Sequence, residues 1–328
     1  MPFFSQAQNS SLDVHVNSLG FMDNREYKAF TERSRTYFGA RLALDFGINL
    51  ADSTHHLRFG ANGIHEFGEK PYFSKVSPVI YYQYTKKGWQ FNIGAFPRQK
   101  LLDDYPRALL NDTLNYFRPN VEGMLARYET EYGFENIWID WVSRQTATDR
   151  EQFLFGLSGK YIPTPGRAFY LSHYFQLLHD AGPAVAIPND HIRDNGAAQV
   201  RLGLDLSHRT FLDSLIIEAG GMISLERTRA VGGFNIPKGA VASVYLGWKR
   251  FALRDELYVG QGHSVTYGDA FFMKKRYNRL DLSWTPFVAG GVQGKFVFSF
   301  HQSPGNLGDS QQSFFLTFDL GRKKLANF

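Results

Sequence analysis

Apolar side chains recur at every second position through most of this chain, and the pattern returns about sixteen times with almost no helical spacing between. Phe38, Ala40, Leu42, Leu44, Phe46, Ile48 and Leu50 fill the even positions of one stretch; Arg33, Arg35, Arg41, Asp45, Gly47 and Asn49 fill odd ones. Successive side chains of a strand point to opposite faces, so this stretch has one apolar face and one charged or small face. The apolar face runs for roughly a dozen residues, beyond the usual strand of about 5–6. Strands of that length, repeated to the end of the chain, describe a sheet whose outside meets lipid and whose inside meets water.

Composition agrees with this. Aromatic residues make up 16 % of the 328, with 30 Phe and 17 Tyr, yet hydrophobic residues are only 43 % and charged ones 20 %. No apolar run reaches the roughly 18 residues of a transmembrane helix. A membrane barrel fits, because only alternate residues need be apolar. The chain has no cysteine, which excludes a disulfide framework, thiolate zinc sites and cysteine nucleophiles. Residues Met1–Ala7 lack a charged n-region and a full apolar core, so the barrel reading expects an export signal already removed. The net charge of +5 is small and its basic residues are spaced singly, so no nucleic-acid partner is expected. Nothing resembles a linker, and residues 1–328 read as a single domain.

Strands are predicted at 10–23, 33–51, 55–67, 75–86, 88–98, 120–132, 135–146, 151–163, 167–179, 195–208, 213–227, 239–250, 254–268, 276–286, 292–302 and 311–323. Sixteen is even, as a single-chain bacterial barrel requires; 14 or 18 would follow if one segment is divided wrongly. The connections alternate. Tight ones (Asp52–Thr54, Lys86–Gly88, Tyr132–Phe134, Pro163–Gly166, Ser207–Leu212, Phe251–Arg254, Ala289–Gly291) separate mostly longer ones, among them Gln99–Pro119, Asp180–Asp194 and Ser303–Ser310. This sorting predicts an all-β, antiparallel, up-and-down transmembrane barrel with both termini on the short-turn, periplasmic side. Trp89, Trp248 and Trp284 fall on apolar faces near short turns, where an interfacial girdle would sit. Residues 79–84 and 169–178 are apolar on both faces and would contact a plug, a neighbouring protomer or an inward-folded loop.

Charges opposite the leucines would cost roughly 2–4 kcal/mol if they faced acyl chains, so they are assigned to the lumen. The pore-lining candidates are Arg41, Asp45, Arg58, Arg127, Glu129, Glu131, Arg201, Asp205, Glu218 and Lys295. Either they pair to stiffen a solvated wall, or they form a belt that sorts solutes by size and sign. The connection 99–119 is the longest and mixes five leucines with Asp103, Asp104, Arg107, Asp112 and Arg118. From its residues alone it either enters the lumen or caps it.

With sixteen strands and a long third outer loop, the chain resembles the general porins of Gram-negative outer membranes. In that family the third loop folds inward and narrows the channel, which makes Asp103, Asp104, Arg107, Asp112 and Arg118 constriction-loop candidates. The resemblance further implies insertion among outer-membrane lipid and lipopolysaccharide, passage of small hydrophilic solutes, and a homo-oligomer, commonly a trimer. The terminal Phe328 is similar to the aromatic end that barrel-assembly machinery uses.

Catalytic patterns are sparse. His263 and Ser264 are adjacent in a predicted strand and point to opposite faces, so they cannot form a dyad. Asp103-Asp104 with His179-Asp180 is similar to the acidic and His-Asp pairs of outer-membrane proteases, but those barrels are smaller. The scattered histidines show no metal-ligand spacing. The sequence therefore predicts an outer-membrane channel for passive diffusion, selected by lumen size and charge, with no enzyme activity, cofactor or metal. The alternative is a substrate-specific channel or a barrel subunit of a larger uptake or secretion complex.

Overall fold

The computed structural model describes residues 10–28, 33–50 and 53–328. Its wall is a closed antiparallel barrel in which each strand pairs with its neighbours in sequence and the last pairs with the first. The strands are β1 Ser11–Glu26, β2 Arg35–Leu50, β3 His55–Glu66, β4 Lys75–Lys86, β5 Trp89–Pro97, β6 Asn120–Thr130, β7 Gly133–Ser143 and β8 Gln152–Tyr161. They continue as β9 Phe169–Asp180, β10 Arg193–Asp205, β11 Ser214–Thr228, β12 Lys238–Trp248, β13 Phe251–Gly260, β14 Arg276–Ala289, β15 Val292–Ser303 and β16 Asn306–Asn327. The closed sixteen-strand antiparallel barrel is thus as the alternation predicts. The predicted start Met1–Ala7, part of the first long connection and Asp52 of the first tight turn lie outside the described residues.

Three local differences have physical causes. The predicted strand 254–268 ends at Gly260, because Gly262 adopts φ +88° and the chain leaves the ladder there. The tight turn before it is Lys249-Arg250 rather than Phe251–Arg254, with Lys249 at φ 55°. The connection Ser303–Ser310 is not long. Gly305 at φ +78° lets Pro304-Gly305 close a two-residue turn, and Asn306 pairs directly with Ser303.

Alternation sets the two faces. Leu42, Ile80, Phe91, Leu202 and Phe298 point outward and are exposed, as are Trp89, Trp248 and Trp284 near the short-turn rim. In water that surface would be an aggregation hazard; in a bilayer it is the apolar band. Arg41, Asp45, Arg58, Arg201, Arg279 and Asp281 point inward and are buried. Ser10, the first described residue, and Phe328 meet at the short-turn end, where Phe328 N–H donates to the Ser10 carbonyl at 3.0 Å.

The lumen is not empty. The connection 98–119, with the short helix α1 (Leu114–Phe117), and the connection 261–275 both fold between the wall strands. Leu102, Tyr105, Ala108, Leu109 and Leu114 of the first, and Phe271 and Phe272 of the second, are buried against Trp138, Leu154, Tyr174, Leu178, Tyr258 and Tyr277 of the wall. Tyr105 packs edge-on against Tyr174 at 5.6 Å. This explains why 169–178 is apolar on both faces: one meets lipid and the other meets an inward-folded loop.

Candidate functional site

Inside the barrel, polar side chains outnumber the apolar ones that the two loops cover, and charge pairing decides their arrangement. The first loop is footed on Asp140, a fully buried carboxylate of β7. Arg98 and Arg118, at either end of the loop, both donate to Asp140, and Arg98 N–H donates to the Pro119 carbonyl at 2.8 Å. Arg118 therefore closes the loop's base. Further in, Gln176 Nε2 donates to the Leu109 carbonyl at 2.7 Å, and Arg41 donates to the Asn115 carbonyl at 2.9 Å. The two loops hold each other: Asn111 N–H donates to the Tyr267 carbonyl, and Asp269 N–H to the Arg107 carbonyl.

Between loop and wall lie three cavities in series along β14, β15, β16, β1 and β2. The one toward the long loops, of about 100 Å³, is lined by Arg25, Tyr27, Asp112, Asp269, Arg279 and Gln311 among others. The middle one, of about 370 Å³, shares Asp112, Arg279 and Gln311 with it and adds Arg41, Asp103, Arg107 and Lys295. The last, of about 310 Å³, shares Arg41, Gln99 and Pro119 with the middle one and ends at His15, Asp45, Asp319 and Arg322.

Ion pairs crowd the neck between the first two cavities. Arg107 bridges Asp112 at 3.0 Å and Asp281 at 2.9 Å; Arg279 bridges Asp281 at 2.8 Å and reaches Asp112 at 3.5 Å. Burial alone would push the Asp112 carboxyl up, but Arg107 and Arg279 more than offset it and hold it below the ordinary range. Asp269 goes the other way: burial raises it despite the pull of Arg279. Asp104, also in the first loop, is pushed up to about 6, chiefly by burial.

The predicted site residues divide accordingly. Arg41, Asp45, Lys295, Asp103, Arg107 and Asp112 line the cavities. Arg58 is tied to Asp13 at 2.9 Å, Arg127 to Glu129 at 3.0 Å, and Arg201 to Glu218 at 3.0 Å and Glu256 at 3.2 Å. Arg201 and Glu218 join neighbouring strands, whereas Arg127 and Glu129 stand two residues apart on β6. Asp205, at the end of β10, accepts from Ser207 N–H. Glu131 lies in the turn after β6, because that strand stops at Thr130. Sequence reasoning missed Arg279 and Asp281 as a pair in the neck, although the word Arg279-Leu-Asp281-Leu sets both on one face. Asp140 carried no signal at all.

The serine and histidine that stand adjacent in sequence are not the pair that forms. His263 instead accepts from or donates to Ser224 Oγ through Nδ1 at 2.7 Å, and both side chains are sealed in the packed lumen. Burial pulls the His263 imidazole down to about 4. Among the described residues no group of three or more His, Asp or Glu side chains is placed to hold a metal ion.

A family model described as "Lipid A 3'-O-deacylase-type" matches residues 4–285. That description names an enzymatic activity and overturns the expectation of a protein without one. The expectation failed because it sought neighbouring residues, whereas a barrel assembles its side-chain groups across strands far apart in sequence. No curated protein matches the chain in sequence. Among solved structures, OpdL of Pseudomonas aeruginosa is similar at 14 % identity and TM-score 0.58, covering 97 % of this chain and 99 % of that one. OmpT of Vibrio cholerae, solved in a trimer form, is similar at 9 % identity and TM-score 0.60, covering 94 % and 99 %. A mutant of Rh. blastica porin is similar at 12 % identity and TM-score 0.52, again covering 94 % and 99 %. At these identities the likeness is one of fold: a closed β-barrel like those of outer-membrane porins.

Proposed function

The chain belongs to the lipid A 3'-O-deacylase-type family, and on that premise we propose that it hydrolyses an acyl ester of lipid A-type glycolipid in the outer membrane. The observation that carries this reading is the extent of the family match, which runs from ahead of β1 into β14. In this reading the short-turn end faces the periplasm, and the long-loop end meets the outer leaflet beside the glycolipid. Hydrolysis adds water across the ester, releasing a fatty acid and leaving a sugar hydroxyl. The test is mass spectrometry of lipid A incubated with the detergent-purified, folded barrel. Loss of one acyl group, with the matching free acid, is the expected result. Lipid A of unchanged mass overturns the reading.

A second reading rests on the cavities. Three in series, sharing lining residues, support an aqueous route for small hydrophilic solutes past Arg41, Asp45, Asp103, Arg107, Asp112 and Lys295. The sign of this charged neck would select among solutes. Single-channel recording in planar bilayers tests it, with ohmic steps expected and silence from verifiably inserted protein against it. A homo-oligomer, by likeness to the trimer form of OmpT, is part of the same reading and is checked by cross-linking in detergent.

A further inference from the structure

An ester in the outer leaflet can reach only the outward face of a closed barrel, near the long-loop rim. The buried Ser224–His263 pair is therefore beyond its reach, and so are the charges of the neck. Among the described residues, two histidines pair with carboxylates on the outward face, and both stand on β9. His173 meets Glu135 at 2.8 Å near the short turns, and His179 meets Asp194 at 3.3 Å near the long loops. Six residues of strand separate them by about 20 Å, so they address opposite leaflets.

Resting on the deacylase reading, we propose that the ester-cleaving centre is an outward-facing cluster at the long-loop rim, with His179 as general base, Asp194 as its positioning residue and Arg229 pinning that carboxylate. The wall's register supports the assignment. Trp141, Phe153, His179, Asp194 and Arg227 are direct cross-strand partners in sequence, one row over five strands. Trp141 and Phe153 have ring centroids 5.3 Å apart, and Phe153 lies 5.0 Å from the His179 ring. Outward aromatic side chains of this kind sit at the membrane–water boundary. That is also the depth at which a glycolipid's ester bonds join sugar to acyl chain.

The chemistry follows from the contacts. Nδ1 of His179 engages Asp194, which leaves Nε2 to take a proton from water. Arg229 donates to both oxygens of Asp194, from Nε at 2.9 Å and from Nη2 at 3.1 Å, and so fixes the carboxylate. As the proton moves to Nε2, the water oxygen bonds to the ester carbonyl carbon and the electron pair goes to the carbonyl oxygen. Collapse of that intermediate breaks the bond to the sugar oxygen, which receives the proton from the imidazolium. Arg227, the next residue of the row, gives this end a positive charge suited to a phosphorylated sugar.

The experiment compares wild type, His179→Asn, Asp194→Asn and His173→Asn, each checked for the heat-dependent gel shift of a folded barrel, on purified lipid A. His179→Asn should lower kcat by about 10²-fold or more, and Asp194→Asn should lower kcat with KM changed less than about threefold. His173→Asn, at the opposite rim, should retain wild-type activity. Active wild type with an equally active, folded His179→Asn overturns the site and leaves the family activity standing. Inert wild type overturns both. A misfolded His179→Asn is replaced by His179→Gln, read against the same two outcomes.

Discussion

Trp138 Nε1 donates to Tyr105 Oη at 2.9 Å, and Tyr105 Oη in turn donates to the Phe175 carbonyl at 3.0 Å. One hydroxyl thus fastens the inward loop to β7 and to β9 at once. Tyr105→Phe removes both partners while keeping the ring, and strands a buried indole N–H. It should cost about 1–3 kcal/mol, read as a lower midpoint in thermal or urea unfolding of the detergent-solubilised barrel. An unmoved midpoint would show that the bond contributes nothing net.

Gly156 lies beneath the Trp138 ring; a Cβ built there would stand 2.1 Å from it. Gly156→Ala must therefore displace the indole, costing about 1–3 kcal/mol. Because the two changes damage the same contact, Trp138→Ala with Gly156→Ala should cost less than their sum. Additive losses in the unfolding midpoints would contradict the packing described.

Asp112 is the loop's acidic contribution to the neck, facing Arg107 and Arg279. If solutes pass there, Asp112→Asn leaves a net gain of positive charge and should move the reversal potential in a salt gradient toward anion preference. An unchanged reversal potential, with current still flowing, places the route elsewhere.

Burial pushes the Asp104 carboxyl up to about 6, against an ordinary carboxyl near 4. Between those values the folded protein keeps a proton that the unfolded chain has released, so stability from this group falls as pH rises through that window. Asp104→Asn should raise the unfolding midpoint at pH 8 and have little effect at pH 4. A larger gain at pH 4 than at pH 8 would reverse the assigned sign.

The wall was legible because its physics is local. A residue such as Leu42 or Arg41 declares its face through its immediate neighbours, and a period of two needs no partner to be read. The loops were not legible in the same way. Leu109 and Phe271 look like any apolar residue in a connection, and only the cross-barrel contact shows that they fill the lumen. Pairing was harder still. His179 stands next to Asp180 in sequence, but strand geometry turns Asp180 inward to Arg150 and His179 outward to Asp194. His179 was visible and its carboxylate partner was not, since fourteen residues of loop and strand intervene. Gly305 shows the reverse case, where a run of polar residues concealed a tight turn.

The seam between Ser11–Glu26 and Asn306–Asn327 joins the first strand of the barrel to the last. Until it forms, both margins of the sheet offer unpaired amides, which hydrocarbon cannot satisfy and which other chains can capture. A shortened product lacking its final strand would have no smaller stable shape to settle into. The cell must therefore hold the earlier strands unspent until the sixteenth arrives, and a nonsense mutation just before that strand should be as ruinous as one before the first.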